Sequence, residues 1–493
     1  MSDFVQLSFE KSVPGRRARV VAPCAAPEVT TAEAVPAALR RAEPARLPEL
    51  AEGEVVRHFI ALSRRNFGVD VGFYPLGSCT MKYNPKINER VAALPGFAGV
   101  HPLAPESTVQ GTLALLHGTQ RLLSSILGMA DFSLVPAAGA HGELAGMMMV
   151  AAYHRDHPGS VPRDEVLVPD GAHGTNPASA ALCGYKVIEL KSNPRGGVDL
   201  DELRRLVSER TAALMLTNPN TLGLFEDQIL EIAAIMREAG ALLYYDGANL
   251  NGILGRARPG DMGFDVVHVN VHKTFSTPHG GGGPGAGPVG VSERLMPYLP
   301  LPRVAVDAEG TYRLLTGDGP ETERSIGALM GFHGNIGVLV RAYAYIRAHG
   351  PEELRGVSGD AVLNANYLRE LLKDWFDVPY DRRVMHEFAL SGKRQKDQGS
   401  STLDIAKRLI DFGFHPPTVY WPMLVEECML IEPVETETRD TLDAFAEAMV
   451  TIAQEIQEDP EQVHGAPYTT PVRRLDEVRA ARQMDLRWRP SDG

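Results

Sequence analysis

The sequence predicts an α/β fold: a large, mainly parallel sheet covered by helices on both faces, followed by a smaller α+β domain. From about residue 110 to residue 300, short runs of β-forming residues alternate with amphipathic helical stretches. After about residue 325, two long helical stretches precede alternating strands and helices. We therefore expect an extended, partly helical N-terminal segment over 1–110, the large α/β domain over 111–325, and the small α+β domain with its tail over 326–493.

Short apolar runs are the predicted strands of the large sheet: Phe132–Val135, Glu165–Pro169, Lys186–Leu190, Ala213–Thr217, Ala241–Tyr245 and Val266–Val271. Between them, apolar residues recur at helical spacing over Glu143–His157 and over Ile229–Met236. Further elements are predicted on either side of this region: a helix near Glu52–Arg65, a loop over Tyr74–Pro85, helices up to His349 and through Trp375, strands over Arg383–Leu390 and Met429–Pro433, and helices over Ser401–Phe414 and Arg439–Glu458.

Composition limits the class of function. There are 62 acidic and 49 basic residues, a net charge of -13, which argues against a nucleic-acid binder because phosphate backbones require basic faces. The four cysteines (Cys24, Cys79, Cys183 and Cys428) are too widely spaced to suggest a zinc motif or a disulfide framework. No run of about 20 apolar residues and no signal-peptide pattern is present, so we expect a cytoplasmic protein with no membrane partner.

The most informative segment is Asp265–Gly285, in which a mostly apolar strand leads into His272 and Lys273 and then into a glycine-rich turn. A lysine in this setting can be held against a ligand, and a Schiff-base lysine needs a neutral amine, which burial and nearby positive charge favour. A surface lysine in a loop is the alternative for this segment when it is taken alone.

A carboxylate supports the first interpretation. Asp246 ends an apolar strand 27 residues before Lys273. Pyridoxal 5′-phosphate (PLP) requires a carboxylate beside its pyridine nitrogen, which keeps the ring protonated and able to accept electrons. The small side chain of Ala248 would let a flat ring lie close. The alternative for Asp246 is a turn-forming Asp-Gly pair. Together, the lysine and the carboxylate predict a PLP site.

Three more loops follow predicted strands. Gly139, Ala140 and His141 begin a helix whose backbone N–H groups suit a phosphate. His173 could stack on the ring face opposite the alanine, and Thr217 could donate a hydrogen bond to the ring oxygen. Because the carboxyl ends of parallel strands share one edge of a sheet, all of these loops are expected to meet at one crevice.

A metal site is a rival prediction, built from His141, His173, His272 and His279. His268 and His272 have HxxxH spacing, but both lie on a predicted strand, where four residues span roughly 13 Å, which is too far for one ion. The HExxH pattern is absent from the sequence, and no metal is expected.

The order of these motifs resembles that of fold-type I PLP enzymes and, more narrowly, that of the glycine decarboxylase (P-protein) family of the glycine cleavage system. The segments that carry the resemblance extend over nearly the whole chain: Tyr74–Pro85, His101–Ser107, Pro136–Glu143, His173–Ser179, Asp246–Gly252, Asn270–Gly285, Tyr420–Pro422 and Glu432–Glu437. Many members are longer single chains with a cofactor-binding half and a cofactor-free half. The resemblance therefore implies the PLP-carrying subunit 2 (β) of the two-subunit bacterial form, in an α2β2 assembly with a homologous subunit 1 (α) that lacks the lysine.

The resemblance also implies roles for individual residues. Lys273 would form the Schiff base and later move protons, Asp246 would pair with the pyridine nitrogen, and His173 and Ala248 would lie on the two ring faces. The phosphate would be contacted by three parts of the chain: His272, Ser276 and the Gly139–His141 turn. Glycine would form an external aldimine and lose CO2, and its aminomethyl group would pass to the lipoyl arm of the H-protein. That activity is a PLP-dependent glycine dehydrogenase (aminomethyl-transferring), an oxidoreductase of glycine catabolism.

Several interpretations stay open. Cys79 is expected to be a packed loop thiol, and Lys82 either positions an anion or lies on the surface. His101, Tyr420 and Glu432 either line the substrate end or only hold loops. One alternative function is that of another fold-type I PLP amino-acid decarboxylase or lyase. A cysteine desulfurase would need a mobile nucleophilic cysteine, and a non-catalytic scaffold subunit would be expected to lack the lysine.

Overall fold

The computed structural model describes residues 5–17, 25–43, 45–317 and 319–489, so Cys24 lies outside the described residues. Its centre is a seven-stranded sheet with the order β1-β7-β6-β5-β4-β2-β3. The strands are β1 (Asp131–Ser133), β2 (Glu165–Pro169), β3 (Lys186–Leu190), β4 (Thr211–Thr217), β5 (Leu242–Gly247), β6 (Val266–Val269) and β7 (Val289–Val291). Strands β3, β2, β4, β5 and β6 run parallel, and β7 is antiparallel to its neighbours β6 and β1.

The register of the parallel strands sets the position of the polar side chains at one end of the sheet. Thr217 of β4 pairs with Asp246 of β5, and Asp246 pairs with His268 of β6. Adjacent parallel strands lie about 4.8 Å apart, so these three residues form one row across the sheet. All three are almost completely buried.

Helices cover the sheet and build the flanking parts of the chain. They are α1 (Thr31–Ala34), α2 (Glu52–Ser63), α3 (Lys86–Ala92), α4 (Pro95–Ala98), α5 (Gln110–Leu127), α6 (Gly139–Asp156), α7 (Thr175–Leu182), α8 (Leu200–Leu206), α9 (Ile229–Glu238), α10 (Val271–Thr274), α11 (Ile336–Leu372), α12 (Lys393–Asp397), α13 (Thr402–Asp411), α14 (Arg439–Glu458), α15 (Pro460–His464) and α16 (Glu477–Arg482). Short 3₁₀ turns lie at Ala37–Leu39, Glu106–Thr108, Leu250–Gly252, Pro259–Met262, Glu293–Tyr298 and Pro320–Thr322.

Alternate residues of each central strand enter two separate cores. Leu243 and Tyr245 of β5 pack with apolar residues of α5, α8, α9 and the first part of α11. Leu242 and Tyr244 point the other way and pack with α6 and α7. Side chains on a strand alternate between its two faces, so an apolar run without polar interruption is required to bury both. Every residue of β5 is buried.

The C-terminal part is a second layer with its own core. Strands β10 (Phe388–Ser391), β11 (Thr418–Val419) and β12 (Cys428–Ile431) form an antiparallel sheet in the order β10-β12-β11, preceded by a hairpin of β8 (Arg303–Val306) and β9 (Tyr312–Leu315). Helices α13, α14 and the second half of α11 pack against the three-stranded sheet. Helix α11 is kinked at Gly350, which has φ 67° and precedes Pro351.

The predicted fold class is confirmed: the sheet is large and mostly parallel, and an α+β layer follows it. The bounds of β2, β3 and α14 are those predicted. Strand β7 was missed, because three residues of a Val-Gly-Val run carry too short a pattern. The prediction that the strand before Lys273 continues to Val271 is wrong: β6 ends at Val269, and His272 lies on the helical turn α10.

The N-terminal part of the chain differs from the rest in its secondary structure. The described residues before Gln110 form helices and loops but no strand of a sheet. Within the described residues, no helix has the length and apolar content needed to span a bilayer. The division of the chain at about residues 110 and 325 stays a prediction.

Candidate active site

A cavity of about 440 Å³ opens at the carboxyl ends of β4, β5 and β6. Ligands in open α/β sheets bind at this edge. Most of the predicted site residues line it: Lys273, Asp246, Ala248, His173, Thr217, Gly139 and Ala140. Segments far apart in the sequence therefore converge as predicted. The remaining wall comes from the loop Leu76–Cys79, from Glu143, Thr175, Thr221, Asn249, Asn270 and Gly281, and from Thr418 and Trp421 of the C-terminal layer.

Lys273 lies on α10, the single helical turn that follows β6. Its Nζ donates a hydrogen bond to the carbonyl oxygen of Ser78 over 2.7 Å. The side chain is partly buried and reaches into the cavity. The amine is therefore held against the N-terminal loop, where an electrophile bound in the cavity could meet it.

Asp246 is a fixed, ionised group in the floor of the cavity. Its Oδ2 accepts from Asn176 Nδ2 at 3.0 Å, and its Oδ1 accepts from the backbone N–H of Ala248 at 2.9 Å. Burial opposes the charged form, but His268, these two donors and Lys273 outweigh it and hold the pKa of Asp246 below its ordinary value. A buried negative charge in this place suits a protonated ring nitrogen.

His173 and Ala248 lie on the walls above that carboxylate. The His173 ring meets Trp421 edge to face, with centroids 5.9 Å apart, and its Nδ1 lies 2.9 Å from Thr175 Oγ1. Burial lowers the pKa of His173, so the imidazole is neutral around pH 7. A neutral, oriented imidazole can stack on a flat ring and accept or donate one proton.

The N-terminus of the 18-residue helix α6 forms one end of the cavity. Gly139 begins the helix, and a Cβ at this position would lie 2.3 Å from Asn270 Oδ1, so only glycine fits. Gly142 is equally constrained, since a Cβ there would lie 2.6 Å from the carbonyl oxygen of Gly287. The first N–H groups of α6 thus stand free of side chains, as anion binding requires.

Three predicted residues lie outside the cavity wall. His141 is on the next part of α6, and its Nδ1 accepts from the backbone N–H of Ala137 at 3.2 Å. His272 accepts from the backbone N–H of Ala286 at 3.2 Å. Ser276 is buried and donates to the carbonyl oxygen of Tyr83 at 2.8 Å. Their proposed contact with a phosphate stays a prediction.

Glu143, Asn176 and His268 are site residues that sequence reasoning missed. Glu143 lines the cavity, and its Oε1 accepts from Thr175 Oγ1 at 2.8 Å, whereas its Oε2 is buried without a partner. Burial and the nearby Asp246 raise the pKa of Glu143 to about 8. The string Gly142-Glu143, an acid just inside a helix that follows a glycine-rich turn, was the available signal.

The N-terminal loop brings two further groups to this region. Cys79 lines the cavity, and burial raises the pKa of its thiol, as suits a packed side chain more than a nucleophile. Lys82 is 2 % exposed and pairs with Glu435 at 2.7 Å, so the alternative of a surface lysine is wrong, and the anion that Lys82 holds is a carboxylate of this chain. This lysine is a buried structural cation.

Side chains that could ligate a metal ion lie close together at one place in the described part of the chain. In the described part of the chain, one group of three such side chains has its ligand atoms close together: His386, Glu387 and Glu432. None of the histidines considered for a metal site in the sequence belongs to it. The argument from a strand spanning both His268 and His272 does not hold, because His272 lies on α10.

Two family models match this chain, and relatives of high identity cover nearly all of it. A family described as "Glycine cleavage system P-protein" matches residues 28–315, and "Glycine dehydrogenase, C-terminal domain" matches residues 357–467. The chain is 57 % identical over 482 residues to a "probable glycine dehydrogenase (decarboxylating) subunit 2" of Bacillus licheniformis, covering 98 % of each. It is 58 % identical to the protein of the same name from Exiguobacterium sibiricum, covering 98 % of this chain and 97 % of that one.

Solved structures show the same fold. A glycine decarboxylase (P-protein) of the glycine cleavage system superposes with a TM-score of 0.71 at 24 % identity, covering 84 % of this chain and 92 % of that one. A cysteine desulfurase from Escherichia coli gives a TM-score of 0.59 at 16 % identity, covering 78 % and 96 %. The fold is thus that of the fold-type I PLP enzymes. Within that class, the chain belongs to the glycine cleavage system P-protein family.

Proposed function

We propose that this chain is the PLP-carrying subunit of a glycine decarboxylase, with Lys273 as the residue that binds the cofactor. The observation that carries the proposal is the placement of Lys273 and the ionised Asp246 in one cavity at the sheet edge. Family membership at 57 % identity over nearly the full chain supports the choice of reaction.

The residues of the cavity fit the cofactor. Lys273 offers an amine, Asp246 offers a buried carboxylate for the pyridine nitrogen, and the free N-terminus of α6 offers N–H donors for a phosphate. A volume of about 440 Å³ is sufficient for a substituted pyridine ring and a small substrate. When bound, PLP supplies a ring that accepts the electron pair left when a bond to the substrate carbon breaks.

The protein's own groups then have the following roles. Asp246 would keep a positive charge on the ring nitrogen, and His173 and Ala248 would lie on the two faces of the ring. Thr217 lies in the same row as Asp246 and donates its hydroxyl to Asp246 Oδ2 at 3.4 Å, and this hydroxyl would have to turn to donate to the ring oxygen. The N-terminal turn of α6 at Gly139, Ala140 and His141 would hold the phosphate, and His272 and Ser276 are proposed to assist from outside the cavity wall. The freed amine of Lys273 serves as a proton carrier beside the reacting carbon.

The proposed reaction releases CO2 from glycine and transfers the aminomethyl group to the lipoyl arm of an H-protein. The partner is proposed to be a homologous subunit 1 without the lysine, in an α2β2 assembly. The relatives are named subunit 2, which supports a separate partner chain. A cytoplasmic location is also proposed, and the small number of widely spaced cysteines supports it, since they suit a reducing compartment.

The decisive experiment is glycine-dependent exchange of labelled bicarbonate into the carboxyl group of glycine. It would combine this chain, its partner subunit, PLP and lipoylated H-protein. Exchange in the native chain that is lost in Lys273→Ala, but retained in Lys186→Ala at an exposed position, would support both the reaction and the lysine. A PLP spectrum without exchange would keep the cofactor and reject glycine as the substrate.

A further inference from the structure

The loop that holds the Lys273 amine has an unusual backbone. Ser78 and Thr80 both have positive φ, 64° and 46°, a region that non-glycine residues rarely adopt. Thr80 is a particularly unfavourable residue in this conformation because its side chain is β-branched. Such a conformation persists only where surrounding contacts impose it.

Two buried carboxylates impose the conformation. The backbone N–H of Ser78 donates to Glu387 Oε2 at 2.7 Å. The backbone N–H of Thr80 donates to Glu432 Oε2 at 3.0 Å, and its hydroxyl donates to Glu432 Oε1 at 2.6 Å. Both glutamates are completely buried, one just before β10 and the other just after β12. The C-terminal layer thus holds the loop through hydrogen bonds from the loop's N–H groups to the two glutamates.

The preceding residue is fixed in the same way. Gly77 donates its N–H to the carbonyl oxygen of Leu430 at 3.2 Å, and a Cβ on Gly77 would lie 2.5 Å from that oxygen. Thr418 Oγ1 donates to the carbonyl oxygen of Gly77 at 2.9 Å. The N–H groups of Gly77, Ser78 and Thr80 and the carbonyl of Gly77 therefore have partners in the C-terminal layer, while the carbonyl of Ser78 accepts from Lys273.

The same four carboxylate oxygens argue against a cation at this place. Glu387 Oε1 accepts from Asn249 Nδ2 at 3.1 Å, so both oxygens of both glutamates already accept hydrogen bonds. His386 Nε2 lies 3.9 Å from each glutamate and makes no hydrogen bond. The two glutamates therefore bind N–H and hydroxyl groups of the loop at this place.

We propose that Glu387 and Glu432 are positioning residues that hold the Ser78 carbonyl as the docking point for the Lys273 amine once a substrate amine has displaced it from the cofactor. This rests on the proposed function, in which Lys273 leaves and rejoins the cofactor in every cycle. The docked amine stays within reach of the cavity, so Lys273 returns quickly to the cofactor at the end of the cycle. In the structure, Nζ of Lys273 donates to the carbonyl oxygen of Ser78 over 2.7 Å, which is the contact proposed for the docked amine.

The test uses a matched pair of variants at Thr80. Thr80→Val removes the hydroxyl donated to Glu432 and keeps the β-branched shape, whereas Thr80→Ser keeps the hydroxyl. Glu387→Gln is a second, isosteric change that weakens the contact to Ser78. In the full cofactor-free chain, competitive acetylation followed by peptide mass spectrometry would compare Lys273 with exposed Lys186. This readout requires neither PLP nor glycine.

The Lys273-to-Lys186 ratio is expected to rise about fivefold in Thr80→Val, the order expected for the loss of one hydrogen bond, and to a smaller extent in Glu387→Gln. Thr80→Ser should restore the native ratio. Labelling of buried Lys82 must stay low throughout, which shows that the fold is intact. A native Lys273 ratio in both Thr80→Val and Glu387→Gln would overturn the proposal.

In the PLP-loaded chain, exchange of Lys273 for methylamine gives a second readout by absorbance. Return of Lys273 to the cofactor after removal of methylamine should be about fivefold slower in Thr80→Val and unchanged in Thr80→Ser. An equal return rate in all three chains would also overturn the proposal. A native chain that takes up no PLP would reject the proposed function, and the acetylation result would still decide the role of the loop.

Discussion

The hydroxyl of Tyr244 lies 2.7 Å from Nδ1 of His268, and both side chains are completely buried. The other ring nitrogen, Nε2, lies 3.0 Å from Asn270 Oδ1 and 3.5 Å from Asp246 Oδ1. Since these oxygens only accept, Nε2 carries the hydrogen and Nδ1 accepts from the tyrosine. Burial lowers the pKa of His268, which agrees with a neutral ring. Tyr244 therefore fixes the tautomer that turns an N–H toward the carboxylate of Asp246.

Tyr244→Phe should destabilise the cofactor-free chain. The change leaves Nδ1 of His268 buried without a donor, which costs about 1–3 kcal/mol. Urea unfolding of the native chain, Tyr244→Phe, His268→Gln and the double variant would measure this. The two changes should not be additive, because both break the same contact. Full additivity would show that Tyr244 and His268 act independently.

Asp246→Asn should separate cofactor binding from catalysis. The amide keeps the shape and the hydrogen bond from Ala248 but removes the charge that pairs with a protonated ring nitrogen. We expect the glycine–bicarbonate exchange rate to fall on the order of 10²-fold. Borohydride reduction should still attach PLP to Lys273. Asp261→Asn, at an exposed position, is the control, and exchange at the native rate in Asp246→Asn would contradict the assigned role.

Much of this site could be predicted because its residues lie at, or directly after, the carboxyl ends of strands. Lys273, Asp246 and Thr217 are each preceded by an apolar strand, and parallel strands bring their carboxyl ends to one edge. Local sequence thus carries the information. The same rule did not extend to His268, which lies inside β6 and meets Asp246 only through the register between β5 and β6.

Other parts depend on contacts that local sequence does not encode. Lys82 lies in a loop, and it is buried because α10, α11, the 3₁₀ turn at Leu250–Gly252 and the segment after β12 pack around that loop. Glu387 was included in a predicted strand, but β10 begins at the next residue, which frees its side chain to meet the N-terminal loop. Pairings across more than 300 residues are set by tertiary structure alone.

Lys82→Met should be strongly destabilising. The Lys82 ammonium donates to Glu435 Oε1 at 2.7 Å, to Asn251 Oδ1 at 3.0 Å and to the carbonyl oxygen of Thr274 at 2.8 Å. Its removal leaves a buried carboxylate without a counter-charge, at a cost of about 3–5 kcal/mol. Urea unfolding would measure the change.

Two matched variants test this explanation of the Lys82 effect. Adding Glu435→Gln to Lys82→Met should recover part of the lost stability, because no uncompensated charge remains. Lys86→Met breaks an exposed pair with Asp70 and should cost only about 0–1 kcal/mol. Equal losses in Lys82→Met and Lys86→Met would show that burial does not strengthen the inner pair.

Glu143→Gln should change how the stability of the cofactor-free chain depends on pH. Burial and Asp246 raise the pKa of Glu143 from 4.5 to about 8 in the folded chain. Between these two values the folded state keeps a proton that the unfolded state releases. Native stability therefore falls as pH rises through this window, by up to about 1.4 kcal/mol per pH unit from this group. A glutamine binds no proton in either state and removes that contribution.

The measurement is urea unfolding at pH 5.5 and at pH 7.5 for the native chain, Glu143→Gln and the exposed control Glu238→Gln. Glu432 and Glu437, whose pKa values burial raises to about 7, add to the fall in every variant, so the difference between curves isolates Glu143. From pH 5.5 to pH 7.5, the free energy of unfolding of Glu143→Gln should rise by about 2 kcal/mol relative to that of the native chain. Glu238→Gln should follow the native chain. Parallel native and Glu143→Gln curves would mean that Glu143 is ionised at neutral pH, and its unpartnered Oε2 would then be a charge facing the cavity rather than a proton held there.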